Sequence, residues 1–440
     1  MERSPGLVVL LMIGLTLGAV LGTAAVATAA CSVTTGDLDA NGSQDLRVIG
    51  DAVNQTLRII DAPRLGTTTL FLDCDGDGLF TNAAAGDRNG VVLGEFELFD
   101  LRLGSGDDVV TIDVPAVEAP DVTAYNKQNR NFAVQLGAGA NSFRFDHPAL
   151  VAHPPPMAVD SRLTIDVQGG GAADDVFLRP GGARASLLVL RADLGSGPDQ
   201  VTLTTFDIAA YDQASVVNVE FQMDAGDDTV DYNPTADLFG GSVYRVNIVT
   251  GAGTDTVIGG VSSRVSSGRL VLNVDLGAGN DVLTWSPPVL VDVDGSVHIS
   301  VTGGPGQDHV AFALPDPFVT SSLDGLAELF VHGDDGNDDL SVNMSPPAPG
   351  SSSVTGTVRV HADGGAGNDT VIVSQRSSGG STGTFDFLLR GGLGADGLEL
   401  NVEGPATYTP VSAALLDGGP ATDQCNLVGT AIARMQNCKP

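Results

Sequence analysis

The feature that most constrains this chain is a glycine-rich acidic turn written twelve times between residues 103 and 424, each copy set between short stretches of alternating apolar and polar residues. The clearest copies read VDLGAGNDVL at 274–283, LRLGSGDDVV at 101–110 and HADGGAGNDTVIV at 361–373. Aligned on the last acidic position, the copies fall at Asp108, Asn141, Asp175, Asp199, Asp228, Asp255, Asp281, Asp308, Asp338, Asp369, Asp396 and Asp423. Successive spacings run from 24 to 34 residues, about 29 on average, which is the range of a repeat architecture. A fixed period with a fixed acidic turn stacks carboxylates in a row.

Each repeat has a common plan. In residues 270–276, Leu270, Leu272, Val274 and Leu276 share one face of a strand, the period of two expected of a half-buried strand. The turn Gly277-Ala278-Gly279-Asn280-Asp281 follows, its glycines permitting positive φ. A second strand occupies 282–285, then a variable stretch such as Ser286-Pro287-Pro288, then a third short strand at 289–293. This plan predicts an all-β chain, a parallel β-helix (β-solenoid) of about twelve coils with N- and C-terminal caps. At ~4.8 Å per rung, twelve coils extend about 58 Å. An antiparallel β-sandwich also has short strands and regular turn signals, but it does not account for one identical turn per repeat. The boundaries implied are a targeting segment at 1–30, an N-terminal cap at 31–95, the repeats at 96–424 and a C-terminal cap at 425–440. Proline- and serine-rich stretches at 153–156, 345–353 and 375–384 read as loops pushed out of the coil, where insertion costs a stack little. No amphipathic helix stands out.

Composition narrows the partners. The formal net charge is −33, and Lys127 and Lys439 are the only lysines. Such a surface repels phosphate backbones and anionic lipid and attracts cations; it also keeps a secreted protein soluble. The first thirty residues carry Arg3, an uncharged apolar stretch at 7–26 and a small-residue cleavage site at 27–30, the pattern of a secretory signal. The apolar stretch is also long enough to remain as an anchor. Cys31 directly after Ala30 raises a lipid-anchor alternative, against which Thr28 stands in place of the usual leucine. A membrane partner is expected only if this segment or Cys31 is an anchor. The four cysteines, Cys31, Cys74, Cys425 and Cys438, pair most simply as Cys31–Cys74 and Cys425–Cys438, one staple at each end of an extracellular or cell-surface protein.

Seven turns carry a full G-x-G-x-D: Gly104/Gly106/Asp108, Gly195/Gly197/Asp199, Gly251/Gly253/Asp255, Gly277/Gly279/Asp281, Gly304/Gly306/Asp308, Gly365/Gly367/Asp369 and Gly392/Gly394/Asp396. Five are degenerate, at 137–141, 171–175, 224–228, 334–338 and 419–423. Carboxylates about 5 Å apart repel by roughly 3 kcal/mol per pair at an effective dielectric of 20. A bare column is therefore self-destabilising. Calcium, a hard ion taking six to eight oxygens, suits such a gap better than magnesium with its tighter octahedron. The alternative is that the acidic residues only bond backbone amides, as Asx turns do.

These turns resemble the RTX (repeats-in-toxin, hemolysin-type) calcium-binding family, whose nonapeptide runs G-G-x-G-x-D-x-apolar-x. Residues 364–372 and 303–311 fit that pattern in full. The resemblance implies that both glycines of each full turn, through their carbonyls, and the aspartates, including Asp228 and Asp338 of degenerate copies, hold calcium between successive coils. Two departures matter: RTX nonapeptides are contiguous, whereas here the motif appears once per repeat, and RTX proteins usually carry a C-terminal secretion signal.

Before the repeats, Asp73-Cys74-Asp75-Gly76-Asp77-Gly78 resembles the start of an EF-hand-type loop, with Asp73, Asp75 and Asp77 as ligands. Asp37-Leu38-Asp39-Ala40-Asn41-Gly42, followed by Asp45, is similar. Both lack the acid at the twelfth position, where Ala84 and Val48 stand; an acidic surface turn is the competing reading. For catalysis, Lys127 and six scattered histidines are the material, and His298, His332 and His361 recur on comparable strands. No nucleophile elbow, zinc helix motif or P-loop is present, and no residue set commits the chain to chemistry. The sequence reads as a calcium-binding structural or adhesive module, with a cell-surface glycan or protein as partner and no nucleic acid. A polysaccharide lyase or epimerase acting on acidic glycans is the alternative.

Overall fold

Alternating Val, Leu, Ile and Phe positions favour strands and give each strand one face to bury. The computed structural model of the chain realises that pattern as a parallel β-solenoid built from two sheets of 15 and 16 strands. It describes residues 31–62, 66–74, 88–114, 129–147, 162–180, 187–205, 215–234, 238, 240–260, 264–265, 267–286, 289–290, 295–313, 325–344, 356–376, 383–403, 413–429 and 433–439. Residues 1–30, expected as a targeting segment, Asp75, Asp77, Lys127 and the stretches expected as loops at 153–156 and 345–353 lie outside them.

A repeat contributes one strand to each sheet. Arg269–Asp275 lies in the first sheet and pairs in parallel, in register, with Val243–Val249 on one side and Ser296–Thr302 on the other. The turn at 277–281 reverses the chain, and Val282–Ser286 enters the second sheet between Thr256–Gly260 and His309–Ala313. Every pairing within the repeat array is parallel, which rules out the antiparallel sandwich. The anticipated third strand at 289–293 is described only in part. Among the described residues Val289–Leu290 pairs in parallel with Arg264–Val265 in a separate two-stranded sheet, and Leu238 bridges to Val265. The residues expected as a loop at 375–384 are partly strand: Gln375 and Arg376 end Thr370–Arg376, and Thr384 opens Thr384–Leu393.

Inward side chains form columns that run along the stack. Leu270 lies between Tyr244 and Val297, and Leu272 between Val246 and Ile299, all at most 3% exposed. Each such burial contributes about 1.5–3 kcal/mol. Aromatic rings thicken the core locally: Phe99 stacks on Phe132 at 4.4 Å, and Trp285 on Tyr232 at 5.1 Å. The Tyr232 and Tyr244 hydroxyls bond to each other inside this cluster.

Both ladders run past the motif copies, so the expected coil number of twelve is corrected. Asp45–Ile49 and Thr56–Ala62 form a rung before the first copy, pairing in parallel with Leu98–Arg102 and Val109–Asp113. At the other end Arg434–Gln436 and Cys438–Lys439 extend the two sheets. Antiparallel strands close the N-terminal end: Ser32–Gly36 on the first sheet, then Thr67–Asp73 and Arg88–Gly94 on the second. The cysteines pair as Cys31–Cys74 and Cys425–Cys438.

Candidate metal centre

The turns stack as directly as the strands do. Ala278 N–H donates to the Gly251 carbonyl at 2.7 Å and Gly279 N–H to the Pro305 carbonyl at 3.0 Å, so the backbone ladder continues around the corner. This closeness is why the motif carries glycine twice. A Cβ on Gly306 would lie 1.3 Å from the Gly279 carbonyl oxygen, and one on Gly304 1.8 Å from that of Gly277. Gly304 also needs its freedom of φ, at +99°. Asp224 and Asp334 occupy the same first position in degenerate turns at φ of 65° and 72°, and aspartate is among the few residues that tolerate this region.

The acidic position of every turn forms one buried column. Gln55 N–H donates to Asp108 Oδ1 at 2.8 Å, Asp108 N–H to Asn141 Oδ1 at 3.0 Å and Asn141 N–H to Asp174 Oδ1 at 3.0 Å. The column continues through Asp199, Asp228, Asp255, Asp281, Asp308, Asp338, Asp369 and Asp396 to Asp423, each Oδ1 accepting the preceding rung's amide at 2.7–3.0 Å. The column residue of the third copy is Asp174 and not the expected Asp175, which is exposed at the start of Asp175–Arg179. Two adjacent acids made the alignment ambiguous, and only the strand register resolves it.

The second oxygens are different. In ten of the column aspartates Oδ2 is buried without a hydrogen-bond partner. Asp174 is satisfied by Gly170 N–H at 3.0 Å. Asn141 is the neutral rung, and its Nδ2 donates to the Gly139 carbonyl and to Asp174 Oδ1, both at 2.8 Å. Loss of water pushes the carboxyls of Asp108, Asp228, Asp281 and Asp369 up to about 6 and those of Asp199 and Asp308 to about 7; the backbone bond opposes this and neighbouring carboxylates add to it. Asp255, Asp338 and Asp396 are raised for the same first reason. At Gly303, Gly333, Gly364, Gly391 and Gly418 a backbone carbonyl shares the space with the orphaned oxygen, and beside Asp255 the Thr250 hydroxyl approaches. Where Gly364 lacks a Cβ, Asp369 Oδ2 and the Gly391 carbonyl close to 2.6 and 2.7 Å of the missing atom. An all-oxygen set of this kind fits a proton or a hard cation and offers nothing to a soft metal.

The glycines expected as ligands are held by rung-to-rung contact at both positions of the turn, the second of each pair as closely as the first. Gly106, Gly197, Gly253, Gly279, Gly306, Gly367 and Gly394 are backbone spacers, pressed against the preceding rung. A Cβ on Gly253 would lie 1.6 Å from the Gly226 carbonyl oxygen, on Gly367 1.3 Å from that of Gly336, and on Gly394 1.4 Å from that of Gly367. On Gly106 it would meet the Val53 carbonyl carbon at 2.7 Å, and on Gly197 that of Ala172 at 2.6 Å. Their amides are spent on the ladder: Gly106, Gly197, Gly253 and Gly367 donate to the carbonyls of Ala138, Ala225, Ala278 and Leu393. Where a carboxylate does approach this position, at Gly279 and Gly306, it presents Oδ1, which is already hydrogen-bonded. The orphaned Oδ2 faces the other side, toward the residue before the motif, at Gly303, Gly333, Gly364, Gly391 and Gly418. Rung-to-rung contact requires a missing side chain at the second glycine and leaves its carbonyl as a separate matter. The first glycines, Gly104, Gly195, Gly251, Gly277, Gly304, Gly365 and Gly392, adjoin that Oδ2 side in the chain.

Sequence reasoning missed two components. One is the first rung, where Gln55 stands for aspartate and Gly50 and Asn54 are the remnant of the motif. The other is an outer row immediately before the acid: Asp107, Asp227, Asn280, Asn337 and Asn368 each accept an amide from the following rung at 2.7–2.9 Å. Recurrence of Asn or Asp before the last acid was the available signal. Neighbouring residues of one turn thus bond in opposite directions along the stack. Asp73 closes Thr67–Asp73 and is buried; its expected companions Asp75 and Asp77 lie outside the described residues.

On the outward face of the first sheet, His298, Glu328, Arg359 and Asp386 are cross-strand neighbours in one row. His298 Nδ1 lies 3.3 Å from Glu328, Arg359 contacts Glu328 and lies 3.2 Å from Asp386, and His361 packs edge-on to Phe330 at 5.2 Å. His332 stands beside Asp363 in the next row. Further along the face, a groove is lined by Arg191, Asn218, Glu220, Arg245, Asn247 and Asn273, with Val189 and Val271 among its floor. No family model, no curated protein and no solved structure matches the chain.

Proposed function

We propose that the chain is a calcium-binding, extracellular or cell-surface β-solenoid of structural or adhesive role, in the manner of the RTX repeats its turns resemble. The observation that carries this reading is the column of ten buried aspartate oxygens without partners. A carboxylate held out of water beside another carboxylate needs a neutralising partner, and in an extracellular setting millimolar calcium is the available hard cation. Asp108, Asp199, Asp228, Asp255, Asp281, Asp308, Asp338, Asp369 and Asp396 would hold it, with carbonyls on the Oδ2 side, such as that of Gly391, completing an oxygen set. Binding to the folded state alone raises stability by mass action. Calcium titration by calorimetry, paired with melting in chelator, tests this. A rise in melting temperature with calcium that shrinks in the Asp281→Asn/Asp308→Asn protein is expected, the double variant departing from the sum of the singles. Neither heat of binding nor a shift in melting temperature would sink the proposal, leaving the column as a hydrogen-bonding device.

A second reading is favoured by the outward face of the first sheet. Its groove and the His298–Glu328–Arg359–Asp386 row mix cations, carboxylates, amides and an aromatic ring on a protein otherwise strongly acidic. Such a strip suits an acidic glycan, bound or cleaved. Release of unsaturated or epimerised uronate from a panel of polyanionic glycans is its test, and a negative panel retires the enzyme.

A further inference from the structure

We infer that the loop at 37–45, between Ser32–Gly36 and Asp45–Ile49, is a discrete divalent-cation site of calcium type, separate from the turn column. Carboxylate oxygens of Asp37, Asp39 and Asp45 lie within 4.8 Å of one another. Asp37 and Asp39 are exposed, whereas Asp45 is fully buried, and its Oδ1 has no hydrogen-bond partner. That orphaned oxygen is the observation that separates this loop from an ordinary acidic turn. Its other oxygen, Oδ2, accepts Leu38 N–H at 2.6 Å and Asp39 N–H at 3.3 Å, which holds the carboxylate under the loop.

Further amides of the loop, including the Asn41 side chain to Asp39 Oδ2 at 3.0 Å, are committed to the two outer acids. Asn41 N–H donates to Asp37 Oδ1 at 3.0 Å and to Asp39 Oδ1 at 3.2 Å, and Gly42 N–H to Asp37 Oδ2 at 3.0 Å. Among the described residues no Arg, Lys or His is ion-paired with any of the three acids; the nearest cation in sequence, Arg47, is turned to Asp100 at 2.6 Å. Three carboxylates with oxygens within 4.8 Å of one another, one of them buried with an unpartnered oxygen, and no cationic side chain paired with any of them among the described residues call for a cation from solution. The donors are all oxygen, two of them open to water that can complete six to eight ligands, which selects calcium over a smaller, strictly octahedral ion.

The position gives the site a task. Asp45 is the first residue of the strand that pairs with Leu98–Arg102, the first strand of the motif array, and the same hairpin carries Cys31 of the Cys31–Cys74 bridge. An ion on Asp45 would pin the edge hairpin to the end of the stack. The inference stands whether or not the turn column binds calcium.

The test is calcium titration of the full chain by calorimetry, with amide hydrogen exchange over 32–49, for wild type, Asp37→Asn/Asp39→Asn and Asp45→Asn. The first variant alters only exposed side chains and keeps the fold. Loss of one bound calcium in both variants, with calcium-dependent protection of 32–49 gone and protection at the repeat turns unchanged, is the expected result. Equal stoichiometry and equal protection in wild type and the double variant would overturn it. If the column reading alone fails, wild type binds a single calcium that the variants lose; if no calcium binds at all, both readings fall.

Discussion

Each column aspartate carries two oxygens with different tasks, and substitution separates them. Asp281→Ala removes the acceptor of the buried Asp255 amide and should destabilise by about 1–3 kcal/mol, measured by chemical denaturation. Asp281→Asn keeps an acceptor and removes the charge, as Asn141 does naturally in its own rung. In calcium-free buffer at pH 8 that variant should match or exceed wild-type stability, while its gain on adding calcium falls. The pH dependence follows from the same groups. Carboxyls raised to about 6 or 7 when folded bind protons more readily than in the unfolded chain. Their stabilising protonation is therefore complete below the unfolded value and is lost as pH rises through 6 to 7. Calcium-free protein should melt higher at pH 5 than at pH 8, and calcium should add more at pH 8. A metal-free melting temperature that rises steadily from pH 5 to 8 would contradict the buried, unpartnered state of these oxygens.

At the scale of the element, the turn is a backbone stack in which glycine serves contact before it serves conformation. Gly306→Ala drives a methyl into the Gly279 carbonyl at 1.3 Å. It should cost more than about 3 kcal/mol, in the range of severe packing lesions. Asp334→Gly relieves a positive φ of 72° and should stabilise by about 1 kcal/mol, read as a raised denaturation midpoint. The strands and the seven full turns were legible because period-two alternation and G-x-G-x-D are local patterns. The closeness of the rungs at the two glycines was not, since a repeated residue type does not say that a Cβ on Gly367 or Gly394 would meet the carbonyl of the neighbouring rung. The rung at 45–62 was not legible either, because stacking needs only an acceptor-compatible turn of the right length and Gln55 fills the place without the motif. Asp174 against Asp175 was undecidable locally for a related reason: either acid ends the turn, and the neighbouring rungs at Asn141 and Asp199 fix which one enters the column.

At the scale of the molecule, a solenoid is held by nearest neighbours, so its ends are its weak points. Closing loops of 43 and 13 residues, the two bridges limit the unfolded chain by about 4 and about 3 kcal/mol respectively in the chain-entropy account. Reduction should first raise amide exchange at 31–36 and 434–439, with the centre of the stack around 270–301 protected until global unfolding. What the sequence by itself determined is the repeat, the strand faces and the acidic corner, since each follows from short-range periodicity; four cysteines allow three pairings, and the structure selects Cys31–Cys74 with Cys425–Cys438. What only the tertiary structure decided is the two-sheet coil, the extension of the ladders beyond the motif, and the opposed outer row at Asn280 and Asn368. Those depend on which residues face each other across rungs about thirty positions apart, and burial with inter-strand register, acting at that range, sets them.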